Sequence, residues 1–128
     1  MRTALGLVAA AALALSLASP AQAEATSYDL SLSPVSPGGV EAAETTPFRS
    51  VVLECGPAGG AHPEAEAACD LIGEAGGRVS EVETGTGGIC TMIHRPVTVV
   101  ADGGGERYEE TFGNECLLRE AKGAVFDF

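Results

Sequence analysis

The sequence predicts a single α+β domain, a mostly antiparallel sheet carrying one longer and one shorter helix. Three observations carry this expectation. Short runs rich in β-branched and other apolar residues read as strands, several of them alternating apolar with polar positions. One internal segment places Ala65, Ala68, Cys69 and Ile72 at helical spacing. Four cysteines in a short chain imply two disulfide staples.

The first segment is not expected to be part of the fold. Met1-Arg2 is a short positive start, and Ala4 to Leu17 is apolar apart from Gly6 and Ser16. Ser19-Pro20 breaks the run, and Ala21-Gln22-Ala23 is a small-x-small cleavage site. That order reads as a secretory signal peptide over residues 1–23, leaving a domain of residues 24–128. The run is shorter than the roughly 20 apolar residues of a membrane span. No second long apolar run follows, so the cleaved chain is expected to be soluble and extracellular, with no membrane association.

Residues 24–27 read as a frayed terminus, and Tyr28 to Leu32 as a half-exposed strand. Ser33 to Thr46, with its prolines, glycines and acids, reads as a loop. Phe48 to Cys55 is a second strand, and Gly56 to Ala61 a glycine-rich turn. His62-Pro63 opens a helix that ends near Gly76-Gly77. Pro63 suits its first turn, and Glu64 and Glu66 favour its positive end. Cys69 on that helix and Cys55 at a strand end make a plausible clamp of helix to sheet. Arg78 to Val82 reads as a short extended piece, and Glu83 to Gly88 as a mobile loop. Val97 to Ala101 is a strand, Asp102 to Gly105 a hairpin turn, and Arg107 to Phe112 the returning partner. Asn114 can cap a short helix over Glu115 to Ala121, with Gly123 ending it. Ala124 to Phe128 alternates as a last strand.

Charge and motifs narrow the function. The formal net charge is −11, and loss of Arg2 with the leader makes it −12. An acidic chain repels phosphate backbones, which argues against a nucleic-acid partner. There is no C-x-x-C, no H-E-x-x-H, no G-x-S-x-G and no phosphate loop, so no metal or cofactor is expected. His62 reads as a local hydrogen-bonding residue at a helix start. With all four cysteines bridged, no thiol nucleophile remains, and an enzyme is not expected. Four cysteines allow three pairings, of which Cys55–Cys69 with Cys90–Cys116 is the sequential one.

The segment GGICTMIHRPV, residues 87–97, stands apart. Glycines lead into it, Cys90 ties its left side, and Pro96 fixes its own φ and biases Arg95 to an extended shape. Met92 and Ile93, between these constraints, suit a stiff exposed loop that fills a partner's pocket. The same two residues equally suit the buried start of the Val97 strand.

The residues then resemble a known family, the Streptomyces subtilisin inhibitors, which are secreted serine-protease inhibitors. The matching marks are Ser50-Val51-Val52-Leu53-Glu54-Cys55-Gly56-Pro57, His62-Pro63 before a helix carrying Cys69, and Cys90-Thr91-Met92-Ile93 with Pro96-Val97. Gly113-Asn114-Glu115-Cys116 and the ending Val125-Phe126-Asp127-Phe128 complete them. The resemblance implies a five-stranded antiparallel sheet with two helices, disulfides Cys55–Cys69 and Cys90–Cys116, and a homodimer through sheet faces. It implies Met92-Ile93 as the reactive bond, preceded by Ile89, Cys90 and Thr91 and followed by His94, Arg95 and Pro96. Asn114 would support the loop from behind. Family members often have proline where Thr91 stands, although β-branching still favours an extended shape there.

Such an inhibitor offers its bond as a substrate would. Met92, long and uncharged, suits the broad apolar pocket of subtilisin-like proteases first and chymotrypsin-like ones second. A trypsin pocket would be left with an unpaired carboxylate. The competing expectation is a disulfide-stapled extracellular binding or structural protein that keeps the fold without inhibition.

Overall fold

The computed structural model of the chain describes residues 25–35, 48–85 and 87–128. The expected leader and most of the loop read over Ser33–Thr46 lie outside these residues. Five strands form one antiparallel sheet: β1 (Thr26–Pro34), β2 (Arg49–Cys55), β3 (Gly59–Gly60), β4 (Val97–Gly103) and β5 (Glu106–Phe112). Their order across the sheet is β3-β2-β1-β4-β5. Two helices, α1 (Ala65–Glu74) and α2 (Glu115–Lys122), complete the fold.

Alternation builds the sheet. Tyr28, Leu30 and Leu32 of β1, Leu53 of β2 and Val97, Val99 and Ala101 of β4 are buried, while their neighbours in sequence face away. In register, Leu30 lies between Val51 and Ala101, so β1 is the central strand of the core. Ala68 and Ile72 of α1, Leu118 of α2, and Val79, Val82, Val125 and Phe126 close the other side. Burying each large aliphatic side chain contributes about 1.5–3 kcal/mol. Cys69 is only partly buried, at the edge of this cluster, and bridges to Cys55.

Three elements differ from the sequence reading. The fifth strand is Gly59–Gly60, not residues 124–128. Glycine has no β preference, yet a Cβ at Gly60 would sit 2.3 Å from the Val52 carbonyl oxygen, and its φ is +83°. Only a glycine lets the chain turn back that closely on β2. Residues Gly123–Phe126 form a 3₁₀ turn instead of a strand. Val125 and Phe126 are adjacent in sequence and both buried, which a strand with one core face cannot do. Arg78–Val82 is likewise not extended: Val79–Glu81 is a 3₁₀ turn whose spacing buries Val79 and Val82 together. The strand β1 also runs on through Ser33 and Pro34.

That 3₁₀ turn is gripped by a buried lysine. The Lys122 ammonium donates to the carbonyls of Val79 (3.2 Å), Ser80 (3.2 Å) and Val82 (2.7 Å), and lies over the Tyr108 ring. Burial pulls its pKa below the ordinary lysine value. Nothing in the sequence marked this residue, since a lysine ending a helix normally faces water. No helix among the described residues is long and apolar enough to cross a membrane.

Candidate functional site

The segment between Gly87 and Pro96 leaves the body of the domain. Met92 is 95% exposed, Ile89 100% and Ile93 56%. Of the two readings open at the sequence level, the exposed one holds. Thr91, His94 and Arg95 are exposed as well, Cys90 and Pro96 partly so.

These exposed side chains add almost no packing, so the shape of the loop depends on bonds to its backbone. Here all the braces but one, which runs to the residue after β1, reach the turn before α2 or α2 itself. Cys90 is bridged to Cys116, with Cα atoms 5.7 Å apart. The Asn114 amide nitrogen donates to the Thr91 carbonyl (3.1 Å) and to the Ile93 carbonyl (3.0 Å). These carbonyls flank Met92, so one side chain fixes the backbone on both sides of it. The Arg95 N–H donates to the Gly113 carbonyl at 2.9 Å, and the Val35 N–H to the Pro96 carbonyl at 2.9 Å.

Asn114 is 8% exposed, and its polar atoms are well used. Its Oδ1 accepts the Leu117 N–H at 2.8 Å, which makes it the N-cap of α2 while its amide grips the loop. The cap role follows from its place before Glu115; the grip on two carbonyls does not follow from spacing. The helix is itself anchored. Leu118 and Lys122 are buried, and Arg49 of β2 pairs with Glu115 at 2.6 Å and donates to the Phe128 carbonyl oxygen at 2.7 Å. The loop is thus tied to the core through one turn and one helix.

The upstream segment, expected to be mobile, is tied to the same helix. The Thr84 N–H donates to the Ala121 carbonyl (3.0 Å), and the Thr84 hydroxyl (2.6 Å) and Gly85 N–H (3.1 Å) to that of Glu120. The Gly88 N–H donates to the Glu120 carboxylate at 3.0 Å. Gly123 makes this possible: with φ +56°, a Cβ there would come 3.0 Å from the Thr84 methyl group and 2.8 Å from Leu71. A glycine-rich sequence reads as loose only until its N–H groups find carbonyls at a helix end.

His62 is buried, takes the Glu64 N–H on Nδ1 (2.9 Å), and so holds its own hydrogen on Nε2, given to the Val125 carbonyl (2.9 Å). Both ring nitrogens are occupied in joining the start of α1 to the C-terminal turn. No described cysteine is free, and no group of three His, Cys, Asp or Glu side chains among the described residues is placed to hold a metal ion.

The fold and loop define a class: a small two-disulfide α+β domain that presents one braced, exposed segment. Comparison with known proteins defines it further. The subtilisin inhibitor-like family model matches residues 27–114. Subtilisin inhibitor-like protein 2 of Streptomyces rochei is 43% identical over 95 residues, covering 70% of this chain and 84% of that protein. The subtilase-type protease inhibitor of Streptomyces coelicolor is 42% identical over 119 residues, 88% of this chain and 83% of its own. Among solved structures, Streptomyces caespitosus sermetstatin in complex with Bacillus licheniformis subtilisin aligns with a TM-score of 0.61 at 25% identity. That match covers 81% of this chain and 99% of the other. The chain belongs to the subtilisin inhibitor-like family.

Proposed function

We propose that the protein is a secreted, reversible, substrate-like inhibitor of serine proteases, chiefly subtilisin-like, with Met92-Ile93 as its reactive bond. The observation that carries the reading is the near-complete exposure of Met92 between two carbonyls held by one buried amide. A substrate loop is normally ordered by the enzyme at a cost; a loop already ordered avoids it.

The mechanism follows from the braces. The Met92 side chain enters the primary pocket, and the enzyme's serine oxygen attacks the Met92 carbonyl carbon. If the peptide C–N bond breaks, an acyl-enzyme forms at Met92 and an amine is freed on Ile93. In an ordinary substrate that amine diffuses away and water takes its place. Here the Ile93 carbonyl is held by Asn114 and the Arg95 N–H by Gly113. On the other side, Cys90 is covalently tied to Cys116. The amine stays beside the acyl carbon, and religation outruns hydrolysis. Interfaces of standard size, about 1,600 Å², suffice for tight protease–inhibitor binding.

Chymotrypsin-like enzymes with apolar pockets are secondary targets, from the chemistry of Met92. Removal of a leader over residues 1–23 would deliver residues 24–128 to an oxidising space, which suits the two disulfides. A homodimer would cover the sheet face opposite the helices, where Asp29, Ser31, Ser50, Val52 and Val100 line a shallow depression. The test is titration of subtilisin with the purified protein. Near-stoichiometric loss of activity supports the proposal; rapid degradation of the added protein with activity retained overturns it.

A further inference from the structure

We propose that Arg95 is a cationic docking point on the leaving-group side of the loop, selecting proteases with carboxylates on the facing rim of their cleft. This rests on Met92-Ile93 being the reactive bond.

Arg95 stands out by comparison with the other cations. The sequence has 7 lysines and arginines against 18 aspartates and glutamates. Among the described residues, Arg49 pairs with Glu115, Arg78 with Glu106, Arg107 with Asp102 and Glu109, and Arg119 with Asp127. Lys122 is enclosed by three carbonyls. Arg95 is the cation whose side chain meets neither a carboxylate nor a carbonyl among the described residues. In so acidic a molecule an exposed arginine ordinarily finds a partner. This one is kept from doing so, because its backbone is pinned to Gly113 and locked ahead of Pro96 on a segment, residues 87–96, that contains no acid. Glu115 lines a groove with it and with Ile93, but is already committed to Arg49 at 2.6 Å.

Position gives the free charge its use. Arg95 is the third residue after Met92, roughly 10 Å along an extended chain, within the stretch a proteolytic cleft covers. It lines the same groove as Ile93, so it lies at the flank of the loop and addresses the rim of the cleft rather than the primary pocket. The molecule therefore presents an acidic body with a positive tip. Such a field steers an acidic cleft toward the loop, gives a neutral cleft little, and repels a basic one. Specificity then comes from the leaving-group side as well as from Met92.

The experiment uses a subtilisin, the same enzyme with aspartates introduced on the rim facing the third residue after the scissile bond, and a lysine counterpart. Association rates are measured for wild type, Arg95→Gln and Arg95→Glu, in about 0.01 M and about 1 M salt, where screening lengths are about 30 Å and 3 Å. The expected effect of Arg95→Glu tracks the rim. It slows association about five- to tenfold with the aspartate enzyme, less with the parent, and speeds it with the lysine enzyme, all of this collapsing at high salt. Equal effects on all three enzymes, or effects indifferent to salt, would overturn the inference while leaving the reactive bond standing. If wild type inhibits none of the three at stoichiometric dose, the reactive-bond reading fails and takes this inference with it.

Discussion

Asn114 performs two jobs with opposite ends of one amide, and replacing it separates them. Asn114→Ala removes three hydrogen bonds: the cap to the Leu117 N–H and the two donations to the Thr91 and Ile93 carbonyls. Loss of a helix cap costs about 1 kcal/mol, which for a domain of this size lowers Tm by roughly 5 °C. The two loop bonds contribute about 1 kcal/mol each, and about 2 kcal/mol corresponds to roughly a thirtyfold change in the held population of the loop. Asn114→Asp keeps an acceptor for Leu117 but turns an oxygen toward both loop carbonyls. It should preserve most of the cap and release the loop. The assay is the rate at which catalytic subtilisin cuts between Met92 and Ile93, followed by mass spectrometry at a temperature where circular dichroism shows every variant folded. Both variants should be cut about thirtyfold faster than wild type. If Asn114→Asp is cut at the wild-type rate, Asn114 is a helix cap and nothing more, and the religation argument loses its main support.

Other outcomes follow from the same geometry. Met92→Lys should move inhibition toward trypsin-like enzymes, measured by titrating trypsin and subtilisin in parallel; unchanged selectivity would mean that Met92 does not enter the primary pocket. Replacing both Cys90 and Cys116 by serine frees a staple that spans 26 residues and is worth up to about 3.5 kcal/mol in the chain-entropy model. The variant should be digested as a substrate, and full potency would remove the bracing argument. Stability should fall as pH drops below 4.5, because the Ser80 backbone N–H, above all, holds Glu106 below its ordinary pKa. The unfolded chain then takes up the proton first, so the stabilisation present above 4.5 is lost on acidification. Urea midpoints between pH 6 and 3 should decline less for Glu106→Gln than for wild type, and parallel curves would exclude Glu106 as the cause. At the alkaline end the sign reverses. Burial raises Tyr28 and Tyr108 above the ordinary value of 10, so stability should fall as pH climbs past 10 and the unfolded tyrosines ionise first. Urea midpoints that hold steady across that range would contradict it.

Much of the fold was legible because its strongest elements obey a period. Strands β1, β2 and β4 alternate cleanly, since one face is buried and the other wet, and α1 shows its apolar stripe. The elements that escaped are those in which close approach outranks propensity. Gly59–Gly60 can pair with β2 because Gly60 has no side chain to strike the Val52 carbonyl. The ending Ala-Val-Phe-Asp-Phe mimics alternation, yet a 3₁₀ turn is what buries Val125 and Phe126 together.

At the site, residue types placed Cys90 and Pro96 as constraints, and the family resemblance supplied Met92-Ile93 and Asn114. Local sequence could not decide whether Met92 points in or out, because an apolar pair before a strand suits either. The tethering of Thr84 and Gly88 to α2, and the cage around Lys122, were hidden for a different reason. Apart from the Gly88 bond to the Glu120 carboxylate, these are long-range contacts to backbone carbonyls, and a carbonyl has no letter in the sequence.

The central claim is that Met92-Ile93 is a scissile bond that the fold keeps closed. Its most direct test is prolonged incubation of the protein with a catalytic amount of subtilisin, followed by N-terminal sequencing of all products. The account predicts slow appearance of one new terminus beginning at Ile93, with the cleaved halves still joined through Cys90–Cys116 and still inhibitory. Early cleavage elsewhere in the loop, or at several bonds with loss of inhibition, would contradict it.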